Sequence, residues 1–168
     1  MHRKHTCWIL AVVLAVFSVA STRNATAQST STPEERARWA EVTHKLESSP
    51  LDAGVNKDGD LALNRLGGAH DIHVPLCTAL LEEFNNPKYK YRHEITRQYM
   101  LASGAFIIEN PAKAGDTKAM NVAAVESVLK VYTAILQQKP EAKWKLCEDL
   151  LKKQSQGKLD DAVRKQCK

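Results

Sequence analysis

The sequence predicts an all-α fold, and three observations carry that expectation. Apolar residues recur at spacings of three and four along most of the chain. Helix-start residues stand ahead of several of these runs, and no segment shows the period of two that a half-buried strand requires. The expected architecture is one compact domain of about six helices over residues 33–168, behind a signal peptide at 1–27 and a polar lead-in at 28–32.

The leader begins with Arg3 and Lys4 and continues into an apolar run from Trp8 to Ala20. That run has the length of a signal-peptide core and falls short of the roughly 20 residues that span a bilayer. Ala25 and Ala27 place small residues at the −3 and −1 positions, so cleavage is expected after Ala27. The protein is therefore expected to be exported, to a periplasm or beyond the cell. No later apolar run reads as long enough to cross a membrane.

The first helix should start at Thr32-Pro33-Glu34-Glu35: a threonine N-cap, a proline at the first helical position and a glutamate that completes a capping box. Trp39, Val42 and Leu46 give its buried stripe, and Pro50 ends it. Leu51, Val55, Ala62, Leu63 and Leu66 set a second helix, ending at Gly67-Gly68. A third is expected from a cap at Asp71, with Pro75 in its first turn and Cys77, Leu80, Leu81 and Phe84 inward.

Asn85-Asn86-Pro87 breaks the pattern. A fourth helix then runs to about Glu109, where Gly104 predicts the close approach of another backbone. Asp116-Thr117 caps a fifth that reaches about Gln138 and is apolar almost all round, which places it at the centre of the structure. Pro140 should open a sixth, and Gly157 separates it from a short last segment with Leu159 and Val163.

Of 24 Lys and Arg against 19 Asp and Glu, removal of Arg3, Lys4 and Arg23 leaves 21 against 19, or +2. A balance so near neutral gives no argument for nucleic acid. Cys77, Cys147 and Cys167 remain after cleavage, and an oxidising compartment permits one disulfide and one spare thiol. Cys147–Cys167 is the favoured pair because neighbouring helices joined around Gly157 would carry both. Pairing through Cys77 stays open.

Four stretches offer chemistry. Residues 54–65, GVNKDGDLALNR, resemble a calcium loop in Asn56, Asp58, Gly59 and Asp60, but Arg65 stands where the closing carboxylate belongs. A polar helix face is the expected reading. His70, His73 and Cys77 are the better metal candidates, two imidazoles and a thiolate suited to zinc or copper. Against that reading, Cys77 falls in an apolar stripe and Asp71 reads as a cap. Glu41 and His44 form a lone Glu-x-x-His, where a di-iron bundle needs two. Lys88-Tyr89-Lys90-Tyr91-Arg92-His93 interleaves cations with aromatics, a pattern that could meet an acidic polymer.

No phosphate-cradling glycine loop, His-Glu-x-x-His or Cys-x-x-Cys-His is present, so no cofactor and no catalytic residue is expected. The leading expectation is a non-catalytic binding protein with a protein or acidic-polymer partner. A metal-binding or redox helper using His70, His73 and Cys77 is the alternative. A hydrolase comes third, with a site assembled in the fold around His93, Glu94 and a tyrosine.

Overall fold

The computed structural model describes residues 30–167, all helical, turn or irregular, with no strand among them. The expected leader and the expected cleavage after Ala27 lie outside the described residues. Seven α-helices follow in order: α1 (Pro33–Ser48), α2 (Ala53–Gly68), α3 (Thr78–Phe84), α4 (Arg92–Glu109), α5 (Thr117–Gln138), α6 (Lys145–Ser155) and α7 (Leu159–Gln166). A 3-10 turn, Pro111–Lys113, links α4 to α5.

Local sequence explains most of the boundaries. Thr32 accepts from the Glu35 N–H at 3.2 Å while the Glu35 carboxylate accepts from the Thr32 N–H at 2.9 Å, which closes the capping box. Asp52 and Asp116 cap α2 and α5 through the N–H groups of Val55 and Ala119. At Gly157 the backbone turns left-handed, φ +67°. Bonds from Lys158 N–H to Lys153 and from Gly157 N–H to Gln154 end α6 in a Schellman motif.

Two boundaries depart from the sequence expectation. Asp71 does not start a helix: residues 69–77 form an irregular strap, and α3 begins only at Thr78. The Asp71 carboxylate instead accepts from the Ser31 N–H and hydroxyl and pairs with Arg36 at 2.5 Å. Pro75 also disfavours helical dihedrals in the residue before it. Pro140 likewise starts a turn, and α6 waits until Lys145. There the Trp144 N–H finds the Tyr132 hydroxyl at 2.9 Å.

Helices α4 and α5 pack together at the centre, with α1, α2 and α3 against α4 and with α1, α6 and α7 against α5. Two apolar clusters result. One joins Leu80, Phe84, Tyr99, Val128, Tyr132, Ile135 and Leu150, and the other joins Trp39, Val42, Leu46, Leu66, Ile72 and Leu101. Helix α4 contributes to both.

By length and composition α5 would itself reach across a bilayer, against the sequence expectation. However, 61% of its most apolar stretch is buried within the protein, as in a core helix. Gly104 faces a side chain rather than a backbone: a Cβ there would lie 2.4 Å from Leu66 Cδ2.

The favoured cysteine pairing is corrected. Cys167 bonds to Cys77, with Cα atoms 5.5 Å apart, and Cys147 is the free cysteine among the described residues. Helix α7 leans on α5 as well as on α6, which carries its end to the start of α3. Cys147 faces the core, where burial, with Glu148 a lesser cause, pushes its thiol far up and keeps it protonated.

Candidate functional site

The calcium-like run lies wholly within α2, and the helix separates what a calcium loop would gather. Asn56 and Asp60, four residues apart, share one face and bind the buried guanidinium of Arg97. Asp58 faces a different neighbourhood, a depression it lines with Arg38 and Arg65. Gly59 makes the packing possible, because a Cβ would sit 2.9 Å from Leu46 Cδ1 and 3.2 Å from Arg97 Nε. Desolvation raises the Asp60 pKa, but Arg97 and then His93 outweigh it and leave the carboxyl below its ordinary range.

His70 and His73 stand exposed on the strap, either side of buried Ile72. Cys77 has no thiolate to offer while its sulfur is in the disulfide. Among the described residues no group of three or more metal-ligating side chains converges. In the Lys88–His93 stretch, Tyr89 and Tyr91 are buried. The Tyr89 ring stacks on Trp144 at 4.5 Å and its hydroxyl donates to the Ala142 carbonyl. The cations therefore face solvent without the stacking surfaces that make such a stretch a polymer platform. His93 pairs with Asp60 at 3.2 Å, not with Glu94 or a tyrosine. A row of solvent-facing hydrophobes is also missing among the described residues, where Leu61 is the one large exposed hydrophobe.

The structure brings together residues that the sequence reading left scattered. Along the outer face of α5, two adjoining depressions of about 310 and 390 Å³ share Glu47, Glu126 and Lys130, and so form one groove. Helix α1 supplies His44 and Glu47, α4 supplies Ala102, Ala105 and Glu109, and α6 closes the far end with Leu151 and Gln154.

The floor of this groove is built on a buried polar chain. Gln98, 1% exposed on α4, donates to the Thr43 carbonyl at 3.0 Å and to the Ser127 hydroxyl at 2.7 Å. The Ser127 hydroxyl in turn donates a hydrogen bond to Glu47 Oε1 at 2.6 Å, and Lys130 Nζ sits on Glu47 Oε2 at 2.9 Å. His44 touches Glu109 at 2.8 Å and lies 3.7 Å from Glu47. Gln98 Oε1 has no partner. Glu126, exposed at the junction of the two depressions, takes part in no ion pair among the described residues.

Ser127 lies in the middle of α5, where backbone N–H groups are spent on the helix's own carbonyls, so no backbone donor pair faces its hydroxyl. The groove offers carboxylates, one imidazole and one ammonium, fixed from below by bonds that leave Ser127 and Gln98 little freedom. Comparison of the chain with protein-family models, with curated proteins and with solved structures gives no match.

Proposed function

We propose that the protein is an exported, non-catalytic binding protein whose ligand site is the groove along α5. The observation that supports this reading is the convergence of four helices on one groove whose polar floor is fixed by the buried chain Gln98–Ser127–Glu47. Ligand sites combine a concave surface with a few convergent, pre-placed polar groups. An oxidising compartment is the natural setting for a chain that closes Cys77–Cys167.

Selection of short peptides from a displayed random library against the folded protein tests the reading. Ala123→Trp and Thr133→Trp each fill one of the two depressions. The expected result is enriched peptides that lose binding to one or both variants. Peptides that bind the tryptophan variants as well as the parent would sink the assignment, as would a selection that enriches nothing.

A further inference from the structure

We propose that the occupant of the α5 groove is an extended, basic polypeptide segment, an inference that rests on the groove being the ligand site. The argument begins with charge. Without the leader's Arg3, Lys4 and Arg23 the chain is near balance, 21 cations against 19 carboxylates, yet the groove is acidic: Glu47, Glu109 and Glu126 stand against Lys130, with the His44 imidazole beside Glu109. A local excess of this kind draws in and orients a cationic partner.

The site also contains a stand-in for such a partner. The Lys130 ammonium already sits on Glu47 at 2.9 Å, across the groove where the two depressions meet. Glu47 is anchored from behind by Ser127, so it is a fixed acceptor for an ammonium or guanidinium group, and the chain's own lysine shows the seating. Beside it Glu126, without an ion-pair partner among the described residues, offers its carboxylate to a second cation.

Shape agrees with a strand-like ligand. From Ala123 to Gln137, the ends of the α5 lining, the helix rises about 21 Å. That length matches about six residues of extended chain. Ala102, Ala105 and Ala123 keep the wall low at one end, so a backbone can lie close while its side chains reach the carboxylates.

The test uses fluorescence anisotropy with a labelled eight-residue peptide of alternating Ala and Lys, its Ala-Glu counterpart, and a linear tetra-amine as competitor. The basic peptide should bind, weaken as salt rises, and outbind the acidic one. Glu126→Lys should weaken it about tenfold, whereas Lys130→Met, which vacates Glu47, should tighten it several-fold. Lys130→Gln serves as a second vacating variant should the methionine disturb folding. Equal binding of the two peptides, or no gain in either Lys130 variant, would overturn the inference. So would displacement by the tetra-amine at matched charge concentration, which would make a small polyamine the ligand. If library-selected peptides occupy the groove but are neutral or acidic, the basic segment is wrong while the groove stands. Basic-peptide binding that Ala123→Trp and Thr133→Trp leave untouched removes the groove itself.

Discussion

Arg97 and Asp60 form an ion pair between α4 and α2 in which only the carboxylate meets water. The guanidinium is 1% exposed and the carboxylate 50%, at 2.9 Å. Asn56 adds its carbonyl and side-chain oxygens to the same cation, while Nε stays without a partner. Asp60→Ala should therefore cost about 1–3 kcal/mol in chemical denaturation, because it strands a buried charge. Asp58→Ala, on a solvated position of the same helix, should stay within about 0.5 kcal/mol. Calcium should leave the melting temperature of the parent unchanged; a rise at millimolar calcium would show that the run binds metal after all.

Two glycines hold α2 tight against its neighbours and a third does not. Gly104→Ala would place a Cβ 2.4 Å from Leu66, and Gly59→Ala would place one 2.9 Å from Leu46. Each should destabilise by about 1–3 kcal/mol, since a packed side chain must move. Gly67 has nothing within 4 Å, so Gly67→Ala should be neutral or stabilise by up to about 1 kcal/mol through helix propensity. Thermal melts of the three variants decide the ranking, and a destabilised Gly67→Ala would contradict the packing described.

The disulfide closes a separation of 90 residues, for which the chain-entropy model gives about 4–5 kcal/mol. A Cys77→Ser, Cys167→Ser double variant should lose stability on that scale while keeping helical circular dichroism. Within residues 28–168, alkylation without reductant should label nothing in the folded protein and Cys147 alone after unfolding. Labelling of Cys167 before reduction would overturn the pairing.

Asp71 should report on acid. The Ser31 backbone N–H, ahead of the Ser31 hydroxyl and Arg36, outweighs desolvation and holds its carboxyl at about 2. A carboxyl depressed in the folded state contributes stability above its unfolded value, near 3.9, and loses it as pH falls toward 2. Hydrogen-exchange protection in the strap, taken relative to the intrinsic rate at each pH, should therefore fall between about pH 4 and pH 2, and an Asp71→Asn variant should lose that step. Protection that is flat across the window would mean the contact is not made in solution.

What the sequence made legible and what it concealed follow a physical line. The capping box at Thr32, the cap at Asp116 and the left-handed Gly157 are local, and each rests on residues within a turn of one another. The strap at 69–77 rests on Ser31, Arg36 and Cys167, all distant in the chain, so Asp71 read as a helix cap. The groove needed the fold to bring residues 44, 47, 109 and 126 together. One signal was present: α5 looked apolar all round, yet Glu126, Lys130, Thr133 and Gln137 recur at intervals of four, three and four. A polar stripe of that spacing on a central helix marks the face that nothing covers.

Helix α4 serves as a wall common to two apolar clusters, with Tyr99 in one and Leu101 in the other. In unfolding, a shared wall makes the order of events asymmetric. The α1–α2 cluster can open while α4 stays braced by α5, but α4 cannot leave without dissolving both clusters. Amides of α1 and α2 should then exchange through a partial opening of lower free energy, and those of α4 and α5 only through global unfolding. The groove straddles that divide, since His44 and Glu47 belong to the part that opens first and Ser127 and Lys130 to the part that opens last. Occupancy of the groove would thus bind two cooperative units into one, and slowed exchange in α1 would be its signature.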